Sequence, residues 1–263
     1  HRKAERRDGK QVTTPERSRF QPVDASVSAR FVGPATFARL PLARDLSAGA
    51  EALVVGVPFD GGTTFRPGAR FAPQAIREAS RLLRPYNPAL DVSVFERLAV
   101  ADYGDLDVNP NSIEHTYEML STSLGPIAAS RAFLVVLGGD HSISLPVLRS
   151  LSAVHGTLSL VHLDAHLDTW DTYFGRKYTH GTPFRRAAEE GCIAPDRSIQ
   201  VGIRGPLYAQ TDVADNAALG FSVLPATAVD ELGADVGVPV GDGEDGRLHP
   251  GHLAHAPRGG GEG

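Results

Sequence analysis

Two short stretches of the chain hold most of the residues that could do chemistry. LVVLGGDHS, residues 134–142, and LVHLDAHLD, residues 160–168, each run from an apolar segment into polar residues. Together they supply His141, Asp164, His166 and Asp168. Imidazole and carboxylate suit borderline-hard divalent cations, and with no cysteine in the set the chemistry points to manganese, iron, zinc or cobalt. The spacing matters as much as the types. Residues at i, i+2 and i+4 project to one side of an extended backbone, so Asp164, His166 and Asp168 are expected to leave one strand end in one direction, and a second strand end beside it would add His141. Gly138 and Gly139 would let the backbone turn sharply there. The plainer alternative is a pair of ordinary polar loops. Against it, a run of aspartates and histidines straight after Val-His-Leu is costly to bury without a cation.

Other polar residues carry blander readings. His162 sits between Val161 and Leu163 and reads as a packed strand residue, while His155, ahead of Gly156, reads as solvent-facing in a helix-to-strand turn. Asp105 and Asp107 imitate a metal-binding Asp-x-Asp pair but are expected to lie outside the ligand set. The segment 59–71, FDGGTTFRPGARF, is rich in glycine yet lacks the spacing of a phosphate-binding loop. His249, His252 and His255 recur every three residues in a stretch full of glycine and proline, and match no recognised site.

The elements that must position these residues are visible as short apolar runs. Ala52–Val57, Ala99–Tyr103, Phe133–Leu137, Leu158–Leu163, Ile199–Ile203 and Phe221–Leu224 each end in or near Gly, Asp or Pro, as strands buried on both faces do. Between them lie helical patterns: Pro73–Leu83 with proline in its first turn, amphipathic stretches at Ser112–Ser123 and Ser144–Val154, and Thr182–Glu190, which opens with Thr and Pro as a capped start. Strands alternating with helices predict an α/β domain with a parallel sheet, and in such sheets function collects past the strands' C-terminal ends. A net charge of −5 over 263 residues argues against nucleic acid as a general partner. No apolar run approaches the roughly 18 residues of a membrane span, and one cysteine, Cys192, excludes an intrachain disulfide. The opening HRKAERRDGK lacks the apolar region of a secretory signal, so a cytoplasmic location is expected. Residues 1–50 read as an N-terminal extension, 51–232 as the α/β domain, and 233–263, with 10 Gly and 3 Pro, as a disordered or aberrant tail.

These motifs resemble the ureohydrolase superfamily of arginases, agmatinases and guanidino-acid hydrolases. The resemblance covers about residues 30 to 232 and rests on VVGVPFDGGTTFRPGARFAPQAIR at 54–77, GGDHS at 138–142, DAHLDTWDTYFGRKYTHGTPFRRA at 164–187 and VGIRG at 201–205. The stretch from Trp170 through HGTPF is similar to agmatinases and guanidinobutyrases. The resemblance implies a three-layer αβα arginase-like fold and two Mn²⁺ ions per subunit. His141 would ligate the first metal, Asp164 bridge both, His166 ligate the second, and Asp168 ligate the first and orient a bridging hydroxide. His180 would be the proton shuttle. The implied reaction is attack of that hydroxide on a guanidinium carbon, releasing urea, with agmatine giving putrescine, a step of polyamine biosynthesis. Guanidinobutyrate is the alternative substrate. A trimer or hexamer is the implied assembly.

One family feature is absent. The motif Ser-x-Asp-x-Asp-x-x-Asp-Pro, followed by Gly-Thr-x-Thr-Pro-Glu, is expected soon after 220–232 and does not occur. The chain is therefore expected to lack the last two, central strands and the C-terminal helices, to hold one metal rather than two, and to have impaired activity. A catalytically inactive homologue or binding subunit is the reading of another class.

Overall fold

The computed structural model describes residues 20–232. Residues 1–19 and the expected tail 233–263 lie outside the described residues. The chain divides into two compact units, each treated by itself: of the described residues, one holds 20–58, 71–106 and 130–137, the other 59–70, 107–129 and 138–232.

The first unit is built on strand β1, Ala52–Val57, in which every residue is buried. That accounts for its unbroken apolar sequence, ALVVGV, since a strand covered on both faces needs no alternation. Helix α1, Ala72–Ser80, begins with Pro73 in its first turn, where the missing N–H is no loss. A two-stranded antiparallel ribbon, β2 (Tyr86–Asn87) and β3 (Val92–Ser93), leads into the short helix α2, Val94–Arg97. The ribbon has no counterpart in the sequence expectations; two-residue strands carry no periodicity to read. Strand β4, Val100–Asp105, pairs in parallel with β1, Ala52 opposite Val100, and β5, Phe133–Gly138, flanks β1 on its other side. Ala38, Leu40, Ala52, Val54, Val100 and Leu137 form the core, with Phe37 and Phe95 against it.

Below that core lies a buried charge cluster. Asp102 is fully buried and accepts from Arg77 Nε (2.8 Å), Arg77 Nη2 (3.0 Å), Phe37 N (2.6 Å) and Gly104 N (2.8 Å). Arg77 also pairs with Asp105, so that aspartate of the Asp-x-Asp imitation is spent on a guanidinium.

The second unit opens its helical layer with α3, Ile113–Ala129. Ile113, Thr116, Tyr117, Leu120, Leu124 and Ile127 are buried along one side, the three- and four-residue spacing of a single apolar stripe. The helix outruns its expected end and carries Pro126 inside it. Helix α4, Ser144–His155, packs against α3, and α5, Pro183–Glu189, packs against α4. Thr182 precedes α5 but makes no side-chain cap; its Oγ1 donates instead to Thr179 O and accepts from Thr179 N. Strand β6 covers only Val161–Leu163, because Leu158 bridges to Ile193 and Leu160 N donates to Ser198 Oγ. Strands β7, Ile199–Ile203, and β8, Ser222–Pro225, continue a parallel sheet in the order β6-β7-β8. Helices α6, Thr211–Leu219, and α7, Ala226–Leu232, complete the unit. The six expected strands are thus all present, three in each unit. Among the described residues no helix is long and apolar enough to cross a membrane.

Candidate metal and active site

The second unit brings the predicted residues to the ends of two of its segments. After Gly138 the backbone takes a positive φ at Gly139 and enters the turn His141–Ile143. Asp140 anchors this turn: its carboxylate accepts from Ser142 N and Gly62 N, both at 2.7 Å, and its own N donates to Phe59 O. Burial pushes the Asp140 carboxyl above its ordinary pKa, against the pull of these donors and of His180. Asp140 therefore works on the loop, leaving His141 to face the adjoining strand end.

At that strand end, β6 runs into Asp164. His141 Nδ1 lies 2.5 Å from Asp168 Oδ2 and 3.6 Å from Asp164 Oδ2, and His162 Nε2 lies 3.5 Å from the same Asp164 oxygen. One ligand atom from each of His141, His162, Asp164 and Asp168 falls within 4.8 Å of the others. Phe184 walls the group, its ring 5.2 Å from that of His141 and 4.4 Å from that of His162. Asp168 holds a positive φ of 54°, a strained conformation for a non-glycine residue of the kind that collects at functional sites. Its carbonyl accepts from Phe184 N, which helps hold it there.

The charges within the group are tightly coupled. Burial opposes charge on His141, but the hydrogen bond to Asp168 and the charges of Asp168, Asp164 and Asp140 outweigh it and raise the imidazole above its usual pKa. Burial likewise opposes charge on Asp164, yet the His166 amide, His141 and His162 together lower its pKa. Burial and the neighbouring His141 hold His162 below its usual value. Two carboxylates, the half-buried imidazole of His141 and the buried one of His162 are donor types that fit a borderline-hard divalent cation.

His166 departs from the sequence expectation. Its side chain is 75% exposed, with Nδ1 3.3 Å from Asp164 Oδ1, and it stands apart from the tight group. The reason is local. Asp164 Oδ1 accepts from His166 N at 2.9 Å, closing a turn between a short polar side chain and the backbone two residues on. The extended geometry that would have aligned i, i+2 and i+4 ends at Asp164. His162, read from the sequence as packing alone, is buried and also joins the group. The same alternation that linked Asp164 to His166 pointed one step back to His162, so the signal was present and was assigned to the core.

His180 sits where a shuttle could work. Its backbone N donates to Gly62 O and its Nδ1 contacts the same oxygen at 2.8 Å. A carbonyl only accepts, so Nδ1 carries the proton and Nε2 is the free acceptor. Gly62 admits no side chain there: a Cβ would come within 2.7 Å of Ser142 Oγ. A cavity of about 400 Å³ opens beside the group, lined by His166, Asp168, Trp170, His180, Tyr208 and Asp212 among others. Trp170 and Tyr208 line it, their ring centroids 5.6 Å apart, and Tyr173 packs against Trp170 at 4.7 Å. Among the described residues no lysine or arginine lines this cavity.

Comparisons with known proteins agree on one family. The arginase family model matches residues 50–239. A mitochondrial agmatinase from Gallus gallus is 44% identical over 210 residues, spanning 80% of this chain and 62% of that protein. A guanidinobutyrase from Pseudomonas aeruginosa is 39% identical over 236 residues, spanning 87% of this chain and 74% of that protein. Among solved structures, the proclavaminate amidino hydrolase of Streptomyces clavuligerus superposes with a TM-score of 0.72 at 36% identity, over 78% of this chain and 68% of that one. The chain thus spans less than two thirds of the chicken relative's length.

Proposed function

The chain belongs to the arginase family, and from that premise we propose that it hydrolyses a linear guanidino compound to urea and an amine. The observation that carries this reading is the convergence of His141, Asp164 and Asp168 beside a cavity that also holds His180. In this proposal His141, Asp164 and Asp168 would hold a manganese ion, with His166 at the exposed edge of the group. When bound, the metal supplies Lewis acidity and a nucleophilic hydroxide at neutral pH.

The protein's own residues do the rest. Asp168, strained at its backbone and bonded to His141, orients the attacking water by accepting a hydrogen bond from it. His180, its Nδ1–H held by Gly62 O, takes at Nε2 the proton that the attacking water loses and returns it to the departing amine as the C–N bond breaks. Trp170 and Tyr208, with Tyr173 behind Trp170, cover the substrate's methylene stem and exclude water.

We assign agmatine, yielding putrescine, as the preferred substrate. Apart from the metal group, the described lining of the cavity offers the carboxylate of Asp212 and no lysine or arginine, which suits a second cation at the far end better than a carboxylate. Guanidinobutyrate is the second reading, favoured by the relative of that name. A site shaped for one end group rejects the other by leaving charges unpaired. Urea release from manganese-loaded protein, measured with each substrate, tests both. Turnover of agmatine well above guanidinobutyrate is expected; the reverse order overturns the substrate, and no release from either overturns the hydrolase reading in favour of an inactive homologue.

A further inference from the structure

Four groups crowd the candidate metal position, but the hydrogen bonds behind one of them set it apart. His162 on β6 lies directly opposite Gln200 on β7 in the parallel register, and both are buried, His162 to 4% exposure and Gln200 completely. Gln200 Nε2 lies 2.6 Å from Leu167 O and 3.3 Å from His162 Nδ1. A carbonyl oxygen only accepts, so the amide nitrogen must face Leu167. Reversing the amide would press Oε1 against that carbonyl with no proton between them. The second Nε2 proton of Gln200 then points at His162 Nδ1, which must offer a lone pair. Flipping the imidazole ring is no escape, since it would set ring carbons against both Gln200 and Asp164.

A neutral imidazole that accepts at Nδ1 carries its proton on Nε2. Nε2 has no hydrogen-bond partner within the normal limit, but it faces Asp164 Oδ2 at 3.5 Å, and a shift of about half an ångström closes a normal N–H···O bond. A protonated ring nitrogen has no lone pair for a metal. We propose that Gln200 fixes His162 in the Nε2–H form, so that His162 is a positioning residue that donates to the Asp164 carboxylate and is not itself a ligand. This rests on the reading of Asp164 as a metal ligand. A carboxylate held by a donor behind it is oriented and keeps its charge directed at the ion, and loss of such an outer partner weakens metal binding by about 10- to 100-fold.

The direct test is long-range ¹H–¹⁵N NMR of the full, metal-free chain labelled at histidine. His162 should show the pattern of a proton on Nε2, and Gln200→Leu should release the ring toward a mixture of tautomers. An Nδ1–H pattern in the unsubstituted chain overturns the proposal. Manganese titration gives the second arm. His162→Phe should weaken binding by about 10- to 100-fold, and His162→Gln, whose amide can still donate toward Asp164, should recover most of the loss. Equal loss in both variants overturns the positioning role, because a ligand would be replaced by neither. If the unsubstituted chain takes up no manganese, the metal reading of the preceding section fails, while the tautomer measured without metal still decides this one.

Discussion

Each unit of the molecule holds a carboxylate cluster beside a parallel strand, and the two are satisfied in opposite ways. In the first unit Asp102 has no exposed surface, and a guanidinium and two backbone amides direct four N–H bonds at it. In the second, Asp164 is 26% exposed, accepts from the backbone amide two residues on, and meets the imidazoles of His166, His162 and His141 at 3.3, 3.5 and 3.6 Å. A guanidinium stays protonated at every physiological pH, whereas an imidazole can give up its proton. The first cluster keeps a permanent counter-ion and belongs to the fold. The second keeps compensation that a divalent ion can replace.

Breaking the second cluster should abolish function while sparing the fold. Asp164→Ala removes the oxygen shared by His141 and His162; manganese retention and urea release should both fall to background, with little change in the urea midpoint of the metal-free protein. Retained metal in that variant would remove the distinction between the clusters. Breaking the first should do the converse. Arg77→Ala leaves Asp102 buried without its counter-ion, and unpaired buried charges of this kind cost about 3–5 kcal/mol, read as a lowered urea midpoint. An unchanged midpoint would show that Asp102 had no need of Arg77.

His180→Ala sharpens the comparison within the site. It should lower kcat by about 10²–10⁴-fold, the usual contribution of a general acid–base group, with manganese content unchanged. Loss of metal would make His180 part of the metal centre and overturn its assignment as a shuttle. The smallest effect is a pH dependence. His141 has a folded pKa above its ordinary 6.5, so in metal-free protein its contribution to stability is complete below pH 6.5 and fades as pH rises through the raised value. A metal takes the place of that proton, so manganese affinity should rise over the same interval, with proton release seen by calorimetry in two buffers. Metal affinity that does not change with pH would exclude His141 as a ligand.

Much of this was legible from residue types and spacing. β1 and β7 begin and end at the expected residues, because an apolar run closed by Pro, Gly or Arg leaves little freedom in its bounds. β6 was overestimated: Leu158 and Leu160 are as apolar as Val161 and Leu163, and only their bonding to Ile193 and Ser198 takes them out of the strand. The helix α3 ran past Gly125–Pro126 because a stripe of buried residues on both sides of the break holds it against α4, a tertiary gain larger than the local propensity against it.

By itself the sequence determined the donor types, imidazole and carboxylate at the two strand ends, and with them the family. Tertiary structure decided which of these groups converge. The turn that Asp164 closes on His166 N sends one histidine to solvent, and the pairing of β6 with β7 sets His162 against Gln200. Composition and spacing describe a chain one residue after another. A side chain's direction, and the nitrogen on which its proton rests, follow from the neighbours that folding brings to it from elsewhere.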